Sequence, residues 1–133
     1  NRSTKEKEIH KERVCPFFSI YRLRKQEGYM EYQIEENSLT ILLPAELDHC
    51  NAEQVRKRAD MLIEHNHIKY VIFDFANTNF MDSSGIGVLM GRYKLVYLVG
   101  GEVWAVNANE RIRKILKMSG VTKIIQMFEE EKQ

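Results

Sequence analysis

Phe80-Met81-Asp82-Ser83-Ser84-Gly85-Ile86-Gly87-Val88-Leu89-Met90-Gly91-Arg92-Tyr93 sets two hydroxyls between an apolar strand and an apolar-periodic helix. Upstream, Tyr70-Val71-Ile72-Phe73-Asp74-Phe75 has the β-branched and aromatic content of a buried strand. Downstream, Ile86, Leu89, Met90, Tyr93, Val96 and Tyr97 recur at helical spacing. Asp82, Ser83 and Ser84 are therefore N-cap candidates, because the first amides of a helix lack intrahelical acceptors and its dipole favours negative charge there. A serine at this point sits where a phosphate would be held. Gly85 and Gly87 keep the helix entry free of bulk, and Gly87 and Gly91, one turn apart, read as close packing of that face on a neighbour.

Working outward, alternating apolar positions from Tyr29 to Pro44 (Met30, Tyr32, Ile34, then Leu39, Ile41, Leu43) predict a hairpin around Glu36, Asn37 and Ser38. Asn51 opens a helix whose Val55, Ala59, Leu62 and Ile63 form one apolar face, running to about Asn66. The strand Lys69 to Phe75 lacks strict alternation, as expected of a central strand covered on both faces. Gly100 and Gly101 end the second helix, Glu102 to Val106 is a strand, Asn109 to Met118 a helix and Ile124 to Phe128 a last short strand. The order β-β-α-β-α-β-α-β implies an α/β fold: a mixed, mostly parallel sheet with packed helices.

Residues 1–28 are charged and poorly periodic, apart from an apolar patch of Val14, Cys15, Pro16, Phe17, Phe18, Ile20, Tyr21 and Leu23. They read as an N-terminal extension or leader before a domain over 29–133, since Met30 would be a natural initiator. The alternative is a docking arm, because Arg13, Arg22, Arg24 and Lys25 flank the patch. The chain of 133 residues fits one domain with its own core. Residues 1–28 hold eight Lys/Arg against four Glu, whereas 29–133 hold twelve against fifteen acids, so the domain is mildly acidic and nucleic acid is not its expected partner. Cys15 and Cys50 lack metal-ligand or CxxC spacing and read as reduced thiols. No apolar run has the length of a membrane span and no signal-peptide pattern is present, so a soluble, cytoplasmic protein is expected.

Three segments carry a resemblance to the anti-sigma factor antagonists, small bacterial proteins sharing the STAS domain. They are Ala45-Glu46-Leu47-Asp48-His49 with Ala52 and Glu53; Phe80 to Tyr93; and Ile112, Ile115, Leu116, Met118, Ser119, Gly120 with Lys123, Ile124 and Ile125. They span roughly residues 30 to 128 in the family's order and spacing. The closest likeness is to antagonists of the sporulation and general stress-response type. The resemblance implies a STAS fold and a binding role, with no enzymatic activity, no cofactor and no metal. It makes Ser83 the phosphoacceptor of a partner anti-sigma factor that is itself a serine kinase and holds the ATP, with a phosphatase to reset the switch. By the same resemblance Glu46, Leu47, Asp48, Asp82, Ser83, Ser84, Gly85, Val88 and Arg92 are candidate partner contacts. Ala45 departs from the glycine that many relatives carry before the glutamate.

Other readings of the same residues stay open. A hydroxyl at Ser83 or Ser84 could simply cap the helix, and Asp82 could hold the loop or act as a base. A STAS scaffold or transport-accessory module without a phospho-switch is the alternative function. Gly85, Gly87 and Gly91 mimic a dinucleotide-binding turn, but Ala76 to Ser84 separate them from the strand end. A serine hydrolase would need glycines two before and two after its nucleophile, and Met81 or Asp82 fills the former place. His65 and His67 suit a helix end, His49 a cap, a solvated position or a partner contact, and Trp104 the core.

Overall fold

The computed structural model describes residues 9–15, 18–25 and 28–128, with side chains over 30–128. Strands β1 (Ile9–Cys15), β2 (Phe18–Lys25), β3 (Gly28–Glu35) and β4 (Ser38–Leu42) run antiparallel in sequence order. After β5 (Glu46–Leu47) come α1 (Ala52–Asn66), β6 (Tyr70–Asp74), β7 (Phe80–Met81), α2 (Ser83–Tyr97), β8 (Glu102–Val106), α3 (Glu110–Ser119), a 3-10 turn at Val121–Lys123 and β9 (Gln126–Phe128). The main sheet has the order β1-β2-β3-β4-β6-β8-β9, and β4, β6, β8 and β9 are parallel. The fold is thus α/β with a mixed sheet, as the alternation of periods predicts.

Local chemistry explains the element boundaries. The β3–β4 turn is made by Glu36, at φ 56°, and Asn37, whose carbonyl also accepts from the amides of Lys69 and Tyr70 at the start of β6. Asn109 caps α3, its Oδ1 accepting the Ile112 N–H at 2.9 Å. His67 closes α1 in the left-handed region at φ 52°. The core joins alternate strand residues (Tyr32, Leu39, Ile41, Val71, Phe73, Val103) to Val55, Leu89, Val96, Ile112 and Leu116 of the helices.

Four details differ from the sequence-based expectations. Where a non-periodic extension is expected, β1 and β2 continue the sheet, their register with β3 running from Phe18↔Glu35 to Lys25↔Gly28. The two short strands β5 and β7, which among the described residues pair with each other alone, are too brief for any periodicity to announce them. β6 alternates after all: Val71 and Phe73 are buried while Tyr70, Ile72 and Asp74 are partly exposed, so one face carries the core and the other is open. On that open side Trp104 is half-buried rather than core, donating from Nε1 to Glu102 and meeting Phe128 edge to face.

The α2–β8 connection depends on close backbone approach. A Cβ on Gly101 would lie 1.8 Å from the Lys69 carbonyl oxygen, while the Gly101 N–H donates to Val96 O at 2.7 Å. Gly101→Ala must therefore displace backbone, and urea unfolding should show a loss of about 1–3 kcal/mol. An unchanged midpoint would mean that the connection has room to spare.

Candidate functional site

The site is assembled by zipping two loops together. Beyond β4, the Ala45 carbonyl accepts from the amides of Asn79 and Phe80 at 2.7 and 3.3 Å, and the buried Thr78 donates its hydroxyl to Pro44 O at 2.8 Å. Glu46 then pairs with Phe80 and Leu47 with Met81 in the β5–β7 ladder, and the Asp82 N–H donates to Leu47 O at 3.2 Å. Ala45 is not among the non-glycine residues with positive φ, which among those described are Glu36, His67 and Asn107. Its backbone is open to any L-residue, so the departure from glycine at this position carries no strain.

The loop into α1 is held by side chains. Asn51 makes no side-chain cap to α1. Instead its Nδ2 donates to Glu46 O at 2.6 Å and its Oδ1 accepts the Asp48 N–H at 3.0 Å. Asp48 in turn accepts the Cys50 N–H on Oδ1, and its carbonyl accepts from Ala52 N at 2.8 Å. Expected as a helix cap, Asn51 acts as a staple across the loop, because the Asp48 backbone already supplies the first acceptor of the helix.

Of the three cap candidates at α2, Asp82, Ser83 and Ser84, the structure uses Asp82. Asp82 has extended dihedrals and its Oδ1 accepts the Ser84 N–H at 2.8 Å. Gly85 lets this first turn sit directly on the small sheet: a Cβ there would meet Met81 Cγ at 2.4 Å and Leu47 Cδ2 at 3.0 Å. Ser83, the first helical residue, is exposed, and Ser84 is half-buried. The neighbouring surface includes exposed Glu46 and Phe80. The remaining oxygen of Asp82, Oδ2, lies 4.0 Å from His49 Nδ1.

The candidate residues fall into two groups. Glu46, Asp48, Asp82, Ser83 and Ser84 reach solvent on the paired loops. Leu47, Gly85, Val88 and Arg92 do not: Leu47 and Gly85 form the seam under the first turn of α2, and Val88 and Arg92 are 3% and 5% exposed. The Val88 and Arg92 side chains are therefore not offered on the surface as contacts: Val88 lies in the core and Arg92 is turned toward α1. Arg92 Nε is 2.8 Å from Asp60 Oδ1 on α1, and burial pulls the guanidinium pKa below its ordinary value while Asp60 opposes that shift. The contact is an ion pair without hydrogen-bond alignment, and Arg92 Nη1 finds no acceptor among the described residues.

The packing expected of Gly87 and Gly91 is overturned as well. A Cβ on either would meet nothing within 4 Å, because both lie on the side of α2 away from its buried stripe of Gly85, Val88, Leu89, Arg92 and Val96. Sequence reasoning missed the roles of Asn51, Thr78 and Asp60. Asp60 and Arg92 are 32 residues apart in the chain, and no periodicity links them. Among the described residues, no group of three or more His, Cys, Asp or Glu side chains is placed to hold a metal ion. No helix of these residues is long and apolar enough to cross a membrane.

Comparison with known proteins bears on the same residues. The STAS domain family model matches residues 29–133. Over 102 residues the chain is 35% identical to the anti-sigma F factor antagonist of Paenibacillus polymyxa, covering 77% of this chain and 87% of that protein. Its fold is similar to the unphosphorylated form of the anti-sigma factor antagonist SpoIIAA, with TM-score 0.64 and 26% identity over 77% of this chain and 89% of the other. The phosphorylated form of the Bacillus cell fate determinant SpoIIAA is also similar, with TM-score 0.60 and 25% identity over 93% and 92% of the two chains.

Proposed function

The chain belongs to the STAS domain family, and from that premise we propose that it acts as an anti-sigma factor antagonist switched at Ser83. Unphosphorylated, it docks on an anti-sigma factor and so frees a sigma factor. The anti-sigma factor is also a serine kinase: it transfers the γ-phosphoryl group of ATP to Ser83 Oγ, the hydroxyl proton leaves and ADP is released. Docking is then lost, and a phosphatase restores the hydroxyl by hydrolysis. In this scheme the chain supplies the acceptor and the docking surface, while nucleotide and phosphotransfer chemistry belong to the partner.

One observation carries this reading. Ser83 is exposed at the first position of α2, directly after an aspartate whose carboxylate is already committed to capping the helix. The hydroxyl is thus left unused by the cap and reachable from solvent. On the β5–β7 pair before it stand the exposed Phe80, an aromatic of the kind enriched at interfaces, and the exposed Glu46. Incubating the purified chain with a cognate kinase and ATP should add one phosphoryl group, about 80 Da, to the intact mass. Ser83→Ala should abolish the gain. A gain that survives in Ser83→Ala would place the acceptor elsewhere, and no gain at all would favour a scaffold without a switch.

A further inference from the structure

His49 is the sole Lys, Arg or His across residues 44–55 and 76–91, the stretches that contain the two site loops and most of α2. Its ring stands 80% exposed beside the helix entry, with Nδ1 4.0 Å from Asp82 Oδ2 and Nε2 3.8 Å from Cys50 Sγ. The backbone carrying it is fixed on either side, by the Asp48–Asn51 and Asn51–Glu46 hydrogen bonds. The imidazole can therefore turn while the loop stays in place.

On the premise that Ser83 is the phosphoacceptor, we infer that His49 is the intrachain cation that receives the phosphate. Ser83 follows directly, one Cα step of about 3.8 Å, on the residue whose carboxylate oxygen lies 4.0 Å from His49 Nδ1. Asp82 cannot neutralise it, being an anion itself and holding the Ser84 N–H. A phosphoserine carries about −1.5 to −2 charges and three acceptor oxygens, more than the single carboxylate oxygen His49 now faces. An imidazole in its protonated form is attracted more strongly by the larger charge. Glu46, Asp48 and Asp82 are the acids on these loops and Cys50 the adjoining thiol, so beyond the helix dipole His49 is the one side chain of these loops that can carry an opposing charge. The pair lies in solvent and is weakened by salt.

The test uses the full chain with phosphoserine installed at position 83 during translation, so that no kinase is needed. Phosphorus NMR at low ionic strength then follows the second ionisation of the phosphate. In the parent chain its midpoint should lie below that of His49→Gln by about half a pH unit, since a nearby cation favours the dianion. His49→Lys should restore the low midpoint. Equal midpoints in parent and His49→Gln, or failure of His49→Lys to lower the midpoint, would overturn the assignment. Failure of the kinase to modify Ser83 would count instead against the switch itself, and the two results are separable because the phosphate is built in here.

Discussion

Ser83→Asp is expected to weaken binding to a cognate anti-sigma factor by a hundredfold or more, while Ser83→Ala stays within a few-fold of the parent. The charge enters at an exposed position beside Phe80 and Glu46, where a docked partner would exclude water. An ion taken out of water without a partner costs several kcal/mol, and acidic groups on the partner would add repulsion. About 3 kcal/mol already exceeds a hundredfold in affinity. Within the isolated fold the same charge is tolerated: the first turn of α2 favours an anion by roughly 0.3–1 kcal/mol through the helix dipole. Titration calorimetry against the partner and thermal unfolding of the free variant should therefore part company, with affinity lost and stability kept. Undiminished binding by Ser83→Asp would end the proposal. A fall in affinity matched by unfolding of the variant would turn it into a stability effect.

The second large effect lies under the site. Asp60→Ala should destabilise the protein by about 3 kcal/mol, the lower part of the range for breaking a buried ion pair, because Asp60 itself is 34% exposed. What remains is the Arg92 guanidinium at 5% exposure with its counter-ion gone and Nη1 already without an acceptor. Arg56, whose Nη1 is 3.7 Å from Asp60 Oδ2, cannot help, being a cation engaged with Glu53 as well. The double variant Asp60→Leu with Arg92→Met should recover most of the loss, since an apolar pair of similar volume removes both desolvated charges. Denaturant melts of Asp60→Leu, Arg92→Met and the double variant measure the coupling. Additive single effects would show that the two charges do not depend on each other. The functional consequence is indirect: α1 and α2 share this pair, and α2 carries Ser83 at its first residue.

Much of this molecule is legible along the chain. Asp82 reads as a cap because a short acceptor before an apolar-periodic run satisfies free helix amides, and its carboxylate does accept the Ser84 N–H. The strand Glu102–Val106 follows from equally local chemistry, and the structure places it at the expected residues, while the helix expected from Asn109 begins at Glu110 with Asn109 as its cap. Locality is also the limit. Asn51 has the composition of a cap, yet its amide is drawn to Glu46 and Asp48 by a loop geometry that no propensity encodes.

The three helices, the strands β3, β4, β6, β8 and β9 around them and the place of Ser83 at the start of α2 can be read along the chain, because periodicity and capping act within a few residues. Which side of α2 faces inward is set by long-range packing. It buried Val88 and Arg92, left Gly87 and Gly91 facing open space, matched Arg92 to Asp60 and brought His49 to Asp82. The physical reason is that a helix with glycine, arginine and apolar residues on several sides has no strongly preferred face of its own. Its orientation is chosen by what α1, β6, β8 and the β5–β7 pair present to it, and those contacts join residues distant in the chain.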